Sequence, residues 1–258
     1  MLSIERQALI ADMALRQGLV KVSDLSRLFC VSEMTIRRDL DVLQQKKLIK
    51  KIYGGAVTEP SVDEELLDIP MSVRSKTHLM EKHAIAEQAV RFIQPRDVVI
   101  LDAGTTTLEI ARLLPRTDNL VVITNSIPIA YELYEHAGSA VSLLLMGGQV
   151  RENSHSMVGS KAHEFLSDLV ASILFLGASG LSINRGILNS NMDESEVKRK
   201  MMEHCEKVVL VSDSSKFDQQ SYHVVATWDE IDVFITDSQL PQEYREQLED
   251  KGVEIILC

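Results

Sequence analysis

The chain has 258 residues, of which 45% are hydrophobic and 25% charged, and its formal net charge is −11. This composition is ordinary for a soluble globular protein, and the length suits two domains rather than one. No apolar run is long enough to cross a bilayer, and the charged residues near the start do not resemble a signal peptide. The three cysteines, Cys30, Cys205 and Cys258, are too scattered for a disulfide framework or a zinc site. We therefore expect a cytoplasmic protein with no metal, no cofactor and no membrane partner.

The charge is distributed unevenly along the chain. Residues 1–57 hold ten Lys or Arg and six Asp or Glu, a net of +4, whereas the remaining residues carry a net of −15. A basic segment in front of an acidic body requires an explanation, but charge alone leaves several classes of partner open. The motifs have to decide between them.

The first 57 residues have the pattern of three short helices followed by a hairpin. Apolar residues recur at helical spacing up to Gly18, and a second helix is predicted over residues 23–29, with Ser23 as its cap. After a tight turn, Ser32 is expected to cap a third helix over residues 33–45. The alternating stretch that then ends on two glycines suits a β-hairpin wing. This order predicts a winged helix-turn-helix domain over residues 1–57.

Helical and strand periodicity is lost over residues 58–74, where Pro60 and Pro70 bracket an acidic run, and we predict a linker there. From residue 75 to 258, short apolar strands alternate with helices, which indicates a mostly parallel sheet covered on both faces, a three-layer α/β domain. The predicted strands lie near 98–101, 120–123, 141–146, 173–176, 208–211, 233–235 and 253–257, and the helices near 78–94, 108–114, 127–136, 160–169, 194–204 and 241–249.

Basic residues in the first domain fall where a helix-turn-helix contacts double-stranded DNA. The third helix carries Arg37 and Arg38 outside its apolar seam, and arginine binds guanine edges or phosphates. The alternative is that this pair is merely a solvated helix face, and charge pattern alone does not decide between the two. The wing favours DNA because it adds basic groups and glycines on one side. The candidate DNA-binding residues are Ser32, Thr35, Arg37, Arg38, Lys50, Lys51, Tyr53 and Gly54.

Small and polar residues follow five of the predicted parallel strands. Because the carboxyl ends of such strands form one edge of the sheet, these residues should converge on a polar ligand site. Gly104 and the threonines after it open a helix, and free N–H groups there favour an anion. Each loop alone is equally well explained as a turn, so the prediction depends on their convergence. The candidate effector-binding residues are Asp102, Gly104, Thr105, Thr106, Thr107, Thr124, Asn125, Gly147, Gly148 and Lys216, whereas Lys82, Arg151 and Lys198 are expected to be merely exposed.

The motifs resemble a known family, the DeoR-type repressors. Their N-terminal signature, V-S-x-x-T-I-R-R-D-L with a wing ending in G-G-A, is similar to VSEMTIRRDLDVLQQKKLIKKIYGGAV, and their successive C-terminal blocks resemble LDAGTTT, VVITNS, LMGGQVRENSHSMVG and VSDSSKF. The sequence departs from the usual pattern at Lys47, Tyr53 and Ala171-Ser172, where glycine, histidine and aspartate are common.

This resemblance implies that Arg37 and Arg38 contact operator DNA, and that the second domain has a fold similar to the ribose-5-phosphate isomerases. It also implies repression that is relieved, or sometimes promoted, by a small phosphorylated sugar or sugar alcohol. Because one winged helix reads few bases, we expect the protein to bind its operator as a homodimer or homotetramer.

Two other classes of function remain as alternatives. A sugar-phosphate isomerase or deaminase would need a general base, for which Asp102, Asp213 and Glu194 are the candidates. We expect no enzyme activity, since these carboxylates suit turns and a helix start, and since an isomerase has no use for a DNA-binding domain. A plain interaction module without a small ligand is disfavoured by the five polar strand ends.

Overall fold

The computed structural model describes residues 2–17, 19–46, 48–52, 54–57, 68–114, 119–137, 141–217, 219 and 221–258. The predictions made for Gly18, Lys47, Tyr53 and the linker residues 58–67 lie outside the described residues. The chain divides into two compact units, Met1–Lys76 and Thr77–Cys258. No helix in the described part of the chain is long and apolar enough to span a membrane.

The described residues of the first unit form three longer helices, one short helix and a small antiparallel sheet. Its elements are α1 Ser3–Gln17, β1 Leu19–Lys21, α2 Val22–Phe29, α3 Glu33–Gln45, β2 Lys50–Ile52, β3 Gly55–Val57 and α4 Met71–Arg74. The strands form one sheet in the order β1-β3-β2. Ile10, Leu25, Ile36 and Leu40 are fully or almost fully buried in a core shared by the three longer helices. The predicted helix-turn-helix and wing are therefore present, and α4 lies within the segment predicted as linker.

Two helix ends show how the sequence sets the helix-turn-helix. Cys30 ends α2 in a left-handed conformation with φ of 52°, and Ser32 caps α3 by accepting a hydrogen bond from the backbone N–H of Thr35. The predicted capping of α2 by Ser23 is wrong, because α2 begins one residue earlier at Val22. The cause is β1, which pairs with the wing and leads directly into α2, with the Val22 N–H donating to Gly54 O at 2.9 Å.

Strand β1 also explains one glycine of the wing. A Cβ on Gly55 would lie 2.2 Å from the carbonyl oxygen of Val20, so a side chain there would push β1 and β3 apart. The three-stranded form of the wing was not predicted, since three residues are too few to show an alternating pattern.

The second unit is built on a sheet of seven strands that are all parallel. The order is β15-β14-β12-β9-β4-β5-β6. The sheet strands are β4 Val98–Leu101, β5 Leu120–Thr124, β6 Val141–Leu145, β9 Ile173–Leu176, β12 Val208–Val211, β14 Val233–Thr236 and β15 Glu254–Leu257, and the helices are α5 Leu79–Ala89, α6 Thr105–Leu113, α7 Ile127–His136, α8 Ser160–Leu166, α9 Met192–Glu203 and α10 Gln242–Glu249. Most residues of the central strands are buried on both faces, as the continuous apolar runs predicted.

Two groups of short strands were not predicted. Strands β10 Gly180–Ser182, β11 Gly186–Asn189 and β13 His223–Ala226 form an antiparallel sheet. Strands β7 Gln149–Arg151 and β8 Ser156–Val158 form a separate hairpin. The hairpin follows β6, so it stands at the edge where the parallel strands end.

Two helices begin earlier than predicted, and both differences matter for the site. Helix α6 begins at Thr105 instead of residue 108, so the three threonines that were predicted to open the helix lie within its first turn. Helix α9 begins at Met192, because the side chain of Asn191 caps it by accepting from the Glu194 N–H. Glu194 is therefore the third residue of α9 rather than its first.

Candidate DNA-binding surface and effector site

Helix α3 presents a basic face on the outside of the first unit. Arg37 and Arg38 are exposed, whereas Ile36 and Leu40 of the same helix are fully buried. The Arg37 guanidinium donates to Glu33 Oε2 at 2.9 Å, one turn earlier on the helix. The hydroxyl of Ser32 lies 3.0 Å from that of Thr35. Both arginines are therefore at the surface of the helix, where the predicted contacts with a major groove would need them.

A buried ion pair fixes α3 in its place, and the sequence reasoning missed it. Asp39 is buried, and it accepts from Arg6 Nε at 2.5 Å and from Gln7 Nε2 at 2.9 Å. Both donors lie on α1, more than thirty residues away in sequence. The available signal was the position of Asp39, which falls between the apolar residues Ile36 and Leu43 on the inner face of the helix.

The two lysines of the wing have different surroundings. Lys50 is exposed on β2, whereas Lys51 is half-buried and its Nζ donates to Asp41 Oδ1 at 2.5 Å. Gly54 has φ of 78° and forms the turn between β2 and β3. Lys51 therefore holds the wing against α3, and the prediction that Lys50 contacts DNA stays a prediction.

In the second unit, the residues after β4 form a compact turn and the start of α6. Gly104 precedes the helix, and Thr105 and Thr106 are buried in its first turn. Thr107 donates its hydroxyl to the carbonyl oxygen of Asp102 at 2.6 Å and is wholly buried. Thr107 therefore supports the turn from beneath. The prediction that the first N–H groups of α6, with Thr105 and Thr106, form an anion cradle stays a prediction.

Asp102 belongs to a buried ion pair at the centre of the sheet edge. Its Oδ2 accepts from the Gly177 N–H at 2.9 Å and from the ammonium group of Lys198. Lys198 also donates to Gly177 O at 3.0 Å and is only 4% exposed, so the prediction that it is a merely exposed cation is wrong. Burial raises the pKa of Asp102, and the charge of Lys198 opposes that shift. The pair joins the ends of β4 and β9 to α9.

A second buried network surrounds Glu194. Its Oε1 accepts from Arg151 at 3.2 Å and from Ser156 at 3.0 Å, and its Oε2 accepts from Asn189 at 3.0 Å. Burial alone would raise the pKa of Glu194, but the charge of Arg151 and hydrogen bonds from Ser154 and Asn189 lower it to about 2. This arrangement corrects two predictions, since Arg151 is not merely exposed and Glu194 does more than interact with the helix dipole. The carboxylate anchors the β7–β8 hairpin to α9.

Basic side chains gather on the other side of the edge, where β12 ends. Burial raises the pKa of Asp213, but the charge of Lys216 and the hydroxyl of Ser215 help to hold it below its ordinary value. The charges of His78 and Lys82 also lower the pKa of Asp213. Helix α5, which begins just after His78, packs against β12 and β14.

Among the basic residues that lower the pKa of Asp213, Lys82 is one that the sequence analysis did not include in the effector site. It is 3% exposed, and its Nζ donates to the carbonyl oxygen of Thr77 at 2.5 Å. The prediction that Lys82 is merely exposed is therefore wrong. Its signal in the sequence was weak, because a lysine in the first turn of a helix usually reaches solvent.

The remaining predicted residues lie on β5 and before the hairpin. Thr124 is buried and donates its hydroxyl to Leu101 O at 2.7 Å, while Asn125 donates from Nδ2 to Met157 O at 3.2 Å. Gly147 is exposed with open space around it. Gly148 has φ of 142°, and a Cβ there would lie 2.5 Å from Val158 O. Gly148 is thus required by the hairpin itself.

The two units match two family models in order along the chain. Residues 6–62 match the DeoR-like helix-turn-helix domain, and residues 77–238 match the DeoR C terminal sensor domain. The chain belongs to the DeoR family of transcriptional regulators. The family resemblance found in the motifs is thereby confirmed, as is the order of a helix-turn-helix domain before an α/β domain.

Curated relatives of this DeoR-family chain cover almost its whole length. A putative aga operon transcriptional repressor from Escherichia coli O157:H7 is 38% identical over 98% of this chain and 93% of its own. The HTH-type transcriptional regulator GlpR of Haloferax volcanii is 37% identical over 99% of this chain and 98% of its own. Among solved structures, ribose 5-phosphate isomerase A from Methanocaldococcus jannaschii shares 16% identity over 54% of both chains, with a TM-score of 0.39.

Proposed function

We propose that this DeoR-family regulator represses a carbohydrate-utilisation operon, and that a phosphorylated sugar or sugar alcohol changes its affinity for the operator. The observation that carries the proposal is that one chain combines a helix-turn-helix domain, whose helix α3 exposes two arginines, with a sensor domain whose strand ends form a polar edge. The relative from Escherichia coli that is named as a repressor supports the sign of regulation.

The anionic part of such an effector would bind at the start of α6. Thr105 and Thr106 stand there with free helix N–H groups, and the basic group around Lys216 lies on the neighbouring side of the same edge. The sequence outside residues 1–57 carries a net charge of −15, which does not attract anions from a distance. A helix terminus and a few cations act at short range, so local recognition is compatible with that charge.

The carboxylates that an isomerase would need as a base are all engaged. Asp102 is paired with Lys198, Glu194 with Arg151, and Asp213 accepts from the hydroxyl of Ser215. A general base must reach a proton on the substrate, and a carboxylate held in a buried ion pair is poorly suited to that task. These contacts support a sensor rather than an enzyme.

The link between the two functions would begin at Thr77, the first residue of the second unit. Lys82 donates to the carbonyl oxygen of Thr77, and its charge lowers the pKa of Asp213, which follows β12 at the strand ends. An anion bound beside Lys82 would therefore compete for the hydrogen bond from Lys82 to the carbonyl oxygen of Thr77 and change the conformation of the segment that begins the sensor unit. We propose that this segment passes the effector signal towards the DNA-binding unit of a homodimer or homotetramer.

The test is fluorescence anisotropy of labelled DNA from upstream of the protein's own gene. Protein is titrated at fixed salt, with and without a panel of sugar phosphates and sugar-alcohol phosphates. We expect nanomolar to micromolar binding that one compound shifts severalfold. Binding that no compound shifts would leave a regulator without the proposed effector class, and a protein that binds neither this fragment nor genomic DNA would refute the proposal.

A further inference from the structure

Asn125 carries a buried acceptor atom whose partner is missing among the described residues. The residue is 2% exposed, and its Oδ1 accepts no hydrogen bond there. Buried side-chain oxygens in folded proteins nearly always accept a hydrogen bond. A buried oxygen without one at a candidate ligand site therefore indicates that its donor belongs to another molecule. The following inference rests on the proposed function, since it takes the sheet edge to be the effector site.

The orientation of the amide is determined by the β7–β8 hairpin. Asn125 Nδ2 donates to Met157 O at 3.2 Å, and the Met157 N–H donates back to Asn125 O at 2.7 Å. Rotating the amide by 180° would bring two oxygens together, with no proton between them. The nitrogen must therefore face the hairpin, and the orphaned oxygen is the atom left to face a ligand.

The polar side chains next to Asn125 already have partners. Thr124 donates its hydroxyl to Leu101 O and accepts from the Ser126 N–H, and Ser126 caps α7 by accepting from the Ile129 N–H. Ser156 donates to Glu194 at 3.0 Å. None of these groups is placed to supply the missing donor, so the donor is expected to come from a bound molecule.

The position of Asn125 relates it to the anion cradle. In the sheet register Leu101 pairs with Thr124, so Asn125 follows β5 at the level where Asp102 follows β4. Gly104 comes two residues after Asp102, and α6 begins at the following residue, Thr105. The orphaned oxygen and the anion cradle thus belong to adjacent strands of one edge, which a single small molecule can bridge.

We propose that Asn125 Oδ1 accepts a hydrogen bond from a hydroxyl of the effector. This bond would determine which chemical class of effector binds and in which orientation it lies in the site. A phosphate group carries acceptor oxygens and would be repelled there, so the phosphate lies at the start of α6 and a hydroxylated carbon lies beside Asn125. Asn125 is a specificity-determining residue in this arrangement, because a monophosphate without a suitably placed hydroxyl leaves the oxygen unsatisfied.

The experiment compares phosphates that differ in their hydroxyl groups. Glycerol 3-phosphate, ribitol 5-phosphate, glucitol 6-phosphate and ethyl phosphate are titrated by calorimetry into the full-length protein. We expect at least one polyol phosphate to bind the wild type about tenfold more tightly than ethyl phosphate, the effect of one buried hydrogen bond. In Asn125→Ala that preference should fall to within about twofold, with ethyl phosphate affinity unchanged.

Two further variants separate recognition from folding. Ser126→Ala, whose hydroxyl is already used as the α7 cap, should keep the tenfold preference. Asn125→Asp keeps an acceptor oxygen at the Oδ1 position but loses the Nδ2 donor to Met157 O, so it should be less stable and bind all phosphates more weakly while keeping the preference for polyols. Circular dichroism confirms folding of each variant.

The opposing outcomes are distinct from one another. Equal losses for ethyl phosphate and polyol phosphates in Asn125→Ala would make Asn125 a structural residue and overturn the inference. A wild type that binds all four phosphates equally would mean that solvent satisfies Oδ1, with the same consequence. A wild type that binds none of them, and none of the sugar phosphates in the panel tested with operator DNA, would refute the proposed effector class itself, and the inference with it.

Discussion

Arg37 is exposed on α3, and in the free protein its charge is balanced by Glu33 on the same helix. This contact lies at the surface, where an ion pair contributes little, so DNA can replace it at small cost. A guanidinium that reads a guanine edge instead contributes substantially to binding. In the free protein, Glu33 therefore holds the Arg37 side chain along the helix, and this weak contact would not prevent Arg37 from binding DNA.

Replacing Arg37 by alanine should weaken operator binding about tenfold or more, while effector binding stays unchanged. Operator anisotropy and effector calorimetry measure the two affinities. Arg245→Ala is the matched control, because Arg245 also forms an i,i+4 pair with a glutamate, Glu249, on α10. Normal operator binding by Arg37→Ala would show that α3 is not the recognition helix.

Glu194 gives a prediction about acid stability. Its pKa in the folded protein is lowered to about 2, from an ordinary value of 4.5. A lowered pKa stabilises the folded state above pH 4.5, and this contribution is lost as the pH falls towards 2. Glu194→Gln should therefore lower the free energy of unfolding by about 3 kcal/mol at pH 7, and by much less near pH 3.

Urea denaturation of wild type and Glu194→Gln at the two pH values tests this expectation. Glu164→Gln serves as the control, because Glu164 pairs with Lys161 on the exposed surface of α8. Its effect should be small at both pH values. A difference between wild type and Glu194→Gln that does not shrink in acid would mean that the carboxylate is not ionised in the folded protein.

At the scale of elements, the β7–β8 hairpin depends on one glycine of an adjacent pair. Gly148→Ala combines an unfavourable φ with a contact to Val158 O, so it should lower the free energy of unfolding by roughly 1–3 kcal/mol. Gly147→Ala is the matched control and should change stability by less than about 0.5 kcal/mol, since a Cβ there meets open space. Urea denaturation distinguishes them, and equal effects would contradict the hairpin geometry.

The elements that sequence reasoning predicted well are those with a strong local signal. The parallel strands are continuous apolar runs, and α3 has both its Ser32 cap and a regular apolar seam. Strands β1, β10 and β11 were missed, because three or four residues do not establish a period and their pairing is set by tertiary contacts.

The candidate site was predicted only in its outline. The polar strand ends follow from the chain order, since parallel strands end at one edge. The partners within that edge did not follow, because Asp102 and Lys198 are 96 residues apart and nothing local marks them as a pair. Lysines in helices are usually solvated, and that general expectation placed Lys82 and Lys198 on the surface wrongly.

At the scale of the whole molecule, operator and effector affinities must be linked. If an effector changes operator affinity by some factor, the operator changes effector affinity by the same factor. Lys216→Ala removes a cation from the sheet edge, and it should weaken effector binding about tenfold while operator binding without effector stays unchanged. Titrations of effector in the presence and absence of operator DNA measure both quantities.

Lys161→Met is the control for this prediction, because Lys161 is an exposed lysine paired with Glu164 on α8. Its coupling factor should equal that of the wild type. Loss of operator binding in Lys216→Ala without any effector would instead make Lys216 part of the structural support of the protein.

The buried ion pair of Asp102 and Lys198 has a consequence for how such a sensor can diversify. Its support comes from α9 and from the backbone of Gly177, and it satisfies the centre of the sheet edge without any ligand. Asn125 and Lys216, two side chains of the proposed effector site, follow β5 and β12 and so flank that support on either side. Mutations at those flanking positions can alter which metabolite is recognised while the scaffold keeps its stability, so new specificities can arise in small, tolerated steps.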